Sequence, residues 1–397
     1  MRKVAVLAML YQNYDQRILR GIAAYVRAHG QWELYVEEEL VHKMPDLRQW
    51  HGDGMIVNFD DHKAAEAAMK FGKPVVAYGG GLGWHEEGRG IPYMETDDEN
   101  IARLAAEHLL HRGLKHFAFC GYPATRVNPW VARRCKGFLE TLANRGYPCR
   151  VFRGRYTTSR QWQCLMDELI GWLRTLPTPV GLMACYDARA RHVLEACRAL
   201  DLRVPEDVAL IGVDNDPLMC ELTTPPLSSV EQGCFRLGYE AAALLDRMMD
   251  GHRPEKQRYC IPPAGLVARQ STDLLVIDNR HVIDAVRMIR QRACDGLTVD
   301  QLVRELAVSR SLLDKLFKAT LKCTVHGEIR RVRLERAKML LTQTDLPLKL
   351  VAQKAGYATE QYLTAIIQNY ARITPAQYRR REQRVDVDLD FGRPLKE

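Results

Sequence analysis

Seven polar residues follow short apolar runs in the first 215 positions, and their types suit a hydroxylated ligand. They are Asn13, Tyr14, Asp60, Asp61, Asp187, Asp214 and Asn215. Carboxylate and amide oxygens accept hydrogen bonds from paired hydroxyl groups, which is the chemistry that holds a sugar. An aspartate after a strand can instead cap the next helix, and for any single residue the sequence favours neither role. The number of such residues favours a polar cleft.

The apolar runs alternate with amphipathic segments, as in VAVLAML, GMIVNF, GLMACYD and VALIGVDN. This alternation predicts parallel sheets with helices on both faces, and a length of roughly 270 residues suits two lobes. Parallel sheets bind ligands at the carboxyl ends of their strands. The polar residues are therefore predicted to line a cleft at those ends.

Longer strings carry a family resemblance. Residues 93–122 read YMETDDENIARLAAEHLLHRGLKHFAFCGY, and RRCKGF, VPEDVALIGVDN and PPLSSVEQGCFRLGYEAAALL follow. Over residues 90–265 the chain resembles the sugar-binding core of LacI-type repressors. The resemblance implies a two-lobed, periplasmic-binding-protein-like fold with effector contacts at Arg134, Asp187 and Asp214. That family begins with a helix-turn-helix, whereas this sequence starts on the first predicted strand, so a DNA-binding part is expected elsewhere or not at all.

The positive charge of the 397-residue chain is concentrated near its C-terminus. Residues 1–275 hold 34 basic and 34 acidic side chains, residues 276–384 hold 21 and 11, and the last thirteen residues carry a net −2. The net +10 of the middle segment could reflect a solvated helical surface. A basic domain joined to a neutral one more often binds a polyanion, and we favour that interpretation.

The same basic region contains a repeat. ELAVSRSLLDKLFKATLKCTVHGEIRR and KAGYATEQYLTAIIQNYARITPAQYRRR have matching patterns, with Ala307 on Gly356 and Leu313 on Leu363. They predict two helix-turn-helix units, about 298–320 and 347–371, separated by a helix over 325–341. One buried face of the first unit is predicted to hold Leu312, Leu313, Leu316 and Phe317.

Two such units on one rigid frame can enter successive major grooves, which lie about 34 Å apart. The basic side chains of the first unit predict phosphate contacts, and the polar side chains of the second predict contacts to base edges. The candidate residues are Arg310, Ser311, Asp314, Lys315 and Lys318 in the first unit and Glu360, Gln361 and Thr364 in the second.

Residues 280–381 resemble the AraC-type DNA-binding domain, through SRSLLDKLFK, RLERAKMLL, VAQKAGYATEQYL and ITPAQYR. The predicted fold is therefore α/β, with two-lobed periplasmic-binding-protein-like parallel sheets followed by an all-α double helix-turn-helix domain. The predicted domains are a sensor over 1–272, a DNA-binding domain over 273–384 and an acidic tail over 385–397.

A LacI-like sensor joined to an AraC-type domain resembles sugar-responsive activators of pentose catabolism. The resemblance implies D-xylose as the effector and a double-stranded DNA operator, a second copy of the chain and RNA polymerase as partners. The residues alone leave the sugar, the operator and the sign of regulation open. Two alternatives are a cytosolic sugar-binding protein that does not bind DNA and an enzyme with Asp60 and Asp187 as a carboxylate pair. Neither alternative accounts for the repeat.

Other features exclude function classes. Eleven cysteines are scattered without a C-x-x-C pair, which is typical of the reducing cytoplasm, and no run approaches the roughly 18 apolar residues of a membrane span. His108, His111 and His116 lack the spacing of a metal site. No catalytic residue, metal or cofactor is predicted. In the glycine-rich segment 79–90, Trp84 could equally stack on a sugar or pack against protein.

Overall fold

The computed structural model describes residues 1–29, 32–37, 50–79, 90–121, 123, 128–154, 162–274, 279–321, 323–344 and 346–380. The chain divides into two compact units, 1–276 and 277–397. The first unit ends four residues beyond the predicted 272. Trp84 and the acidic tail lie outside the described residues.

The first sheet of unit one contains six described strands in the order β11-β5-β4-β3-β1-β2. Neighbouring strands are parallel, and alternate side chains point to opposite faces. Val4 and Val6 pack under α1 and α8 on one face, whereas Ala5 and Leu7 pack under α2 on the other. The elements are β1 (Arg2–Leu7), α1 (Asn13–His29), β2 (Trp32–Glu37), β3 (Gly54–Asn58), α2 (His62–Met69), β4 (Val75–Tyr78), β5 (Tyr93–Thr96), α8 (Cys234–Met249) and β11 (Arg258–Ile261).

Helices α1 and α8 pack closely because each places a glycine at their contact. A Cβ on Gly21 would lie 2.0 Å from the Phe235 carbonyl oxygen, and a Cβ on Gly238 would lie 1.9 Å from the Ile18 carbonyl oxygen. Any side chain larger than hydrogen would force the helices apart. This contact fixes the position of α1, which carries Asn13 and Tyr14.

The second sheet has the order β12-β10-β9-β8-β6-β7, in which β12 alone is antiparallel to its neighbour. Helices α5 and α6 cover one face and α3 and α4 cover the other. The elements are α3 (Asp98–His111), β6 (His116–Cys120), α4 (Pro129–Ala143), β7 (Cys149–Phe152), α5 (Trp162–Leu173), β8 (Val180–Ala184), α6 (Asp187–Ala199), β9 (Val208–Val213), α7 (Pro217–Glu221), β10 (Ser228–Glu231) and β12 (Gly265–Val267).

The chain passes between the two sheets three times, after β5, after β10 and after β11. Each sheet with its helices is therefore a lobe, and the three crossings form the hinge. This architecture confirms the predicted two-lobed fold of parallel sheets.

The described part of unit two is helical and has two cores that share one long helix. The N-terminal half of α12 packs with α9 to α11, and its C-terminal half packs with α13 and α14. The helices are α9 (Arg280–Arg292), α10 (Val299–Glu305), α11 (Arg310–Leu321), α12 (Val325–Gln343), α13 (Leu348–Lys354) and α14 (Glu360–Ala371). A 3₁₀ turn (Ala293–Asp295) follows α9 and ends at Gly296.

The repeat is visible in the helix bounds. Helices α10 and α13 both have seven residues, 49 positions apart, and α11 and α14 both have twelve, 50 positions apart. The extra residue lies in the second turn, as the alignment of Ala307 with Gly356 predicts. Both of these residues have left-handed backbones, with φ of 52° and 77°.

One predicted core position is wrong. Leu313 and Phe317 are fully buried, but the side chain of Leu312 is 44% exposed. At about 100° per residue, Leu312 lies about 120° around the helix from the middle of the face formed by Leu313 and Phe317, whereas the partly buried Leu316 lies about 80° away. Leu312 belongs to the exposed surface of α11.

Candidate effector cleft and nucleic-acid interface

The first wall of the cleft is formed by the carboxyl ends of β1 and β3. Burial raises the pKa of Tyr14 well above its usual value, and the Cys234 thiol and the Asp60 carboxylate raise it further. The Asp60 backbone N–H donates to Asn58 Oδ1 at 2.8 Å. A Cβ on Gly79 would lie 3.0 Å from Asp60 Oδ2, so glycine at the end of β4 leaves room for this carboxylate.

Asn13 adds a hydrogen-bond donor to the same wall. Within the described part of the chain, its Nδ2 is buried and has no hydrogen-bond partner. A buried amide donor without a partner costs free energy, and a bound hydroxyl oxygen would offset that cost. The prediction of Asn13 as a ligand residue therefore gains physical support.

Arg134 of α4 lies on the second wall and is buried. Its Nε donates to Asp98 Oδ1 at 2.9 Å, and its Nη1 donates to the Cys185 carbonyl oxygen at 2.7 Å. The guanidinium lies 4.6 Å from the centre of the Trp130 ring. Its Nη2 has no hydrogen-bond partner among the described residues, so one donor of a rigidly held arginine remains for a ligand.

Asp214 directly follows β9 on the same wall. Its φ of 110° is unusual for a residue with a side chain. Gln232 Nε2 donates to Asp214 Oδ1, and Gln232 Oε1 accepts from Thr96 Oγ1 at 2.8 Å. Because Thr96 and Gln232 lie beside two of the crossings, the hinge directly orients this carboxylate. Burial raises the pKa of Asp214, and Arg134 opposes the rise.

Cys234, the first residue of α8, is buried in the core of the first lobe. Burial raises the pKa of this thiol, Asp214 and Asp15 raise it further, and Arg17 and Arg134 oppose the rise. Asp15 and Arg17 belong to the first lobe, whereas Asp214 and Arg134 belong to the second. Charged groups of both lobes therefore lie near enough to Cys234 to shift the pKa of its thiol.

Three predicted ligand residues have protein partners instead. Asp61 caps α2, since its Oδ1 accepts from the Ala64 N–H at 2.8 Å. The Asn215 side chain donates to Glu231 Oε2 at 3.0 Å and accepts from Arg269 Nη2 at 2.8 Å. These bonds favour the structural alternative for both residues.

Asp187 is the third of these residues, and its side chain is almost completely buried. Its carboxylate accepts from Ser229 Oγ at 2.7 Å, from the Asp216 N–H at 2.9 Å and from the Cys220 thiol at 3.4 Å. Burial and the nearby Asp214 raise its pKa. This geometry favours a role for Asp187 in holding the loop after β9, and its contact with an effector stays a prediction.

Sequence reasoning missed Asp15, which lies under the first wall and is fully buried. It accepts from Asn58 Nδ2 at 3.0 Å and from the Tyr78 hydroxyl, and burial raises its pKa to about 6. Trp130, Gln232 and Arg17 were also missed. For Arg17 a signal existed, because a residue three positions after Tyr14 lies on the same side of a helix.

Helices α11 and α14, the reading helices, have the same burial pattern at every one of ten equivalent positions, 310–319 and 360–369. Ser309 and Thr359 cap them in the same way, each accepting from an N–H three residues later at 3.2 Å. Six candidate DNA contacts are exposed: Arg310, Ser311, Lys315, Lys318, Glu360 and Gln361. Asp314 and Thr364 are half-buried.

Asp314 and Thr364 already have protein partners. Asp314 Oδ1 accepts from the Val325 N–H at 3.3 Å, and Thr364 Oγ1 donates to the Glu360 carbonyl oxygen at 2.8 Å. Arg310 lies 3.6 Å from Asp300 in an exposed ion pair. Among the described residues, no such partner is found for the side chains of Lys315 and Lys318 in the first reading helix or of Gln361 in the second.

Comparison with known proteins agrees with this arrangement. Residues 3–99 match the XylR N-terminal domain, residues 106–272 match the periplasmic binding protein-like domain, and residues 302–381 match a helix-turn-helix domain. The chain is 34% identical over 378 residues to the xylose operon regulatory protein of Escherichia coli K12, with 95% of this chain and 96% of that protein covered. The chain belongs to the family of xylose operon regulatory proteins.

Further relatives in and beyond the xylose operon regulatory proteins fit the same pattern. The Haemophilus influenzae protein of that name is also 34% identical, with 95% of this chain and 98% of that protein covered. A solved structure of the xylose-binding transcription activator XylR has a TM-score of 0.77 at 34% identity, covering 95% of this chain and 97% of that one. The cellobiose complex of CelR, at 24% identity and a TM-score of 0.54, shares the sensor fold. The chain is therefore a transcription regulator with a LacI-like sensor.

Two classes of feature are not found in the described ranges. No helix there combines the length and apolarity that crossing a membrane requires. His108 Nε2 lies within hydrogen-bond distance of Thr272 Oγ1, at 2.8 Å, and burial lowers the pKa of His108 to about 4. No group of three or more metal-ligating side chains occurs in that part of the chain.

Proposed function

We propose that this chain is a D-xylose-responsive activator that binds a double-stranded operator as a homodimer and recruits RNA polymerase in the cytoplasm. The observation that carries the proposal is the convergence of charged groups from both lobes at the hinge, in a chain whose second unit exposes two equivalent reading helices. The names of the 34% identical relatives supply the identity of the sugar.

The sugar is held between complementary donors and acceptors. Asp60 and Asp214 accept hydrogen bonds from its hydroxyl groups, and Arg134 Nη2 donates to its oxygens. Because Asp60 and Asp214 are on different lobes, a pentose that contacts both binds one lobe angle more tightly than others. Its binding therefore shifts the lobes toward that angle by differential affinity.

The change of lobe angle repositions the DNA-binding units of the dimer through the segment 270–280. Four reading helices in a two-fold pair would contact an operator with two-fold related half-sites. Residues 275–278 of this segment lie outside the described residues.

The alternative of a sugar-acting enzyme has less support. It requires Asp60 and Asp187 as a pair of carboxylates that reach the substrate. The buried Asp187 carboxylate already accepts from Ser229, Cys220 and the Asp216 N–H, which favours a structural role over contact with a substrate. The cytosolic sugar-binding alternative leaves the duplicated reading helices without a role.

Sugar binding can be tested with intrinsic fluorescence, because all six tryptophans of the chain lie between residues 32 and 172. D-xylose should change the emission and raise the melting temperature of the full-length chain by mass action, whereas D-glucose and D-ribose should do so weakly. Asp214→Asn should weaken D-xylose binding at least about tenfold, since a hydrogen bond to a charged group contributes roughly 1.5–3 kcal/mol. Asp61→Asn is the matched control and should bind as the parent does, because Asn also caps helices. Equal responses to all the sugars, or none, would contradict the assignment of D-xylose.

The regulatory part is tested separately. Sedimentation should show a dimer, and transcription from the chain's own operator by purified RNA polymerase should increase when D-xylose is added. A decrease would identify a repressor and contradict the proposed sign of regulation.

A further inference from the structure

Arg17 of α1 reaches from the first lobe to the second. Its Nη2 donates to the Asn215 carbonyl oxygen at 2.8 Å, and its Nη1 forms an ion pair with Glu231 Oε1 at 3.0 Å. The Arg17 side chain is only 17% exposed. This arginine therefore makes a partly desolvated contact across the cleft, where electrostatic interactions are stronger than at an open surface.

The carbonyl that Arg17 contacts belongs to a strained turn. Asp214 and Asn215 both have left-handed backbones, with φ of 110° and 50°. Two consecutive non-glycine residues in this region are unfavourable and persist only when surrounding contacts hold them. The strain is located at the residue proposed to bind the sugar.

The second lobe supplies most of the contacts that hold this turn. The Asn215 N–H donates to Ser229 Oγ at 2.9 Å, its side chain donates to Glu231, and Arg269 donates to its Oδ1. Arg17 adds a contact from the opposite lobe, and it also pairs with Glu231. The conformation of the turn that presents Asp214 therefore depends on the position of the first lobe relative to the second.

We propose that Arg17 is a positioning residue that couples the angle between the lobes to the presentation of Asp214. When the lobes close, Arg17 meets Asn215 and Glu231 and holds the strained turn in the conformation that binds the sugar. The inference rests on the proposed sugar-binding function, and it assigns Arg17 no direct contact with the ligand.

The chemistry of arginine fits this role. A guanidinium is planar and always charged, so Arg17 can donate a hydrogen bond to the Asn215 carbonyl from one nitrogen while another forms an ion pair with Glu231. A lysine at the same position could satisfy either the carbonyl or the carboxylate, but not both with the same geometry. Removal of the side chain should therefore cost more affinity than its replacement by lysine.

The first experiment measures D-xylose affinity of the full-length chain by tryptophan fluorescence. Arg17→Ala should raise Kd about tenfold, the effect of losing one charge-assisted hydrogen bond, and Arg17→Lys should raise it less. Arg20→Ala is the matched control, because it removes the same charge from an exposed position on the same helix. Arg20→Ala should leave Kd within twofold of the parent.

The second readout is amide hydrogen exchange of residues 214–220, which separates positioning from general stability. With D-xylose at saturation, Arg17→Ala should lose protection in this turn while strands β1 and β8 keep theirs. A loss of protection throughout the sensor would show a merely structural role and overturn the proposal.

A double-mutant cycle tests the route. Arg17→Ala and Glu231→Gln are each expected to raise Kd by some factor. If Arg17 acts through Glu231 and the turn, the double variant should raise Kd by less than the product of those two factors. If the double variant raised Kd by the full product of the two factors, Arg17 would not act through Glu231. An unchanged Kd in Arg17→Ala would overturn the positioning role of Arg17 itself. A parent chain that binds no pentose would instead refute the proposed function itself, so the two failures are distinguishable.

Discussion

The two helix-turn-helix units of this chain share a scaffold but present different chemistry. Their helices have equal lengths, their reading helices bury equivalent positions, and a serine and a threonine cap those helices alike. The exposed positions differ. Arg310, Lys315 and Lys318 in the first unit correspond to Glu360, Ala365 and Gln368 in the second.

This difference separates two requirements of DNA recognition. Cations bind phosphate and supply affinity that does not depend on sequence, whereas amides and carboxylates contact base edges. The first reading helix has three exposed cationic side chains, and the second has none at the equivalent positions. The duplication thus keeps the packing that places a helix in a groove and leaves its outer surface free to change.

The largest expected effect tests the shared scaffold at the second turn. Gly356 has a φ of 77°, and an added Cβ would lie 2.8 Å from Cys294 Cα and 2.9 Å from the Cys294 carbonyl oxygen. Gly356→Ala should destabilise unit two by roughly 2–4 kcal/mol, through backbone strain and the displacement of neighbouring backbone. Because the tryptophans all lie in the sensor, circular dichroism should show an early helical transition while tryptophan fluorescence melts as in the parent.

Gly296→Ala is the matched control for Gly356→Ala. Its φ of 88° imposes similar backbone strain, but no atom lies within 4 Å of the added Cβ. It should cost only about 1 kcal/mol. If the two substitutions lowered the stability of unit two equally, the contact with Cys294 would contribute nothing to the cost of Gly356→Ala.

The second prediction tests the proposed division of affinity and discrimination. Lys315→Ala should weaken binding to every duplex. It should also make the negative slope of log K against log salt less steep, by about 1. Gln361→Ala should leave that slope unchanged and reduce the difference between operator and unrelated DNA. Ala365→Lys, which transfers the cation to the second unit, should steepen the slope. If Lys315→Ala and Gln361→Ala changed the slope equally, the division would be wrong.

The two reading helices also share an exposed apolar side chain at the same position. Leu312 and Tyr362 occupy equivalent positions, and their side chains are 44% and 49% exposed. Exposed apolar groups on a reading helix can contact the methyl group of thymine. Replacement of one operator thymine by deoxyuridine should weaken binding of the parent by about 1 kcal/mol, and Leu312→Ala should be insensitive to the same replacement. Gel-shift titrations across a deoxyuridine scan measure both effects, and an equal response of parent and variant at every position would exclude the contact.

The sequence was sufficient for the fold because the fold depends on periodic patterns. The alternation of apolar runs predicted the two sheets, and the helical periodicity of the first unit with its matching repeat predicted both reading helices, although Leu312 was wrongly placed in the core. The roles of individual site residues could not be predicted in the same way, because they depend on contacts between segments far apart in the sequence. Nothing local in the sequence distinguishes Asp214, which lies at the hinge, from Asp187, which is enclosed by Ser229 and the Asp216 N–H. Arg17 likewise acquires its partners only when the two lobes meet.

The smallest expected effect is at the turn between α10 and α11. This turn has alanine at position 307, where the equivalent turn of the second unit has Gly356. Ala307 has a φ of 52°, so its Cβ crowds the following carbonyl group, whereas glycine would adopt this backbone without that penalty. The greater freedom of glycine in the unfolded chain offsets part of the gain, and Ala307→Gly should stabilise unit two by about 0.5 kcal/mol. Ala319→Gly, at an exposed position within α11, should do the opposite by about 1 kcal/mol, because glycine weakens a helix interior. Thermal melts followed by circular dichroism measure both changes. A stabilising Ala307→Gly beside a destabilising Gly356→Ala would show that both turns require the same backbone and that only the second one is tightly packed, whereas a loss of stability in Ala307→Gly would mean that the two turns are not equivalent.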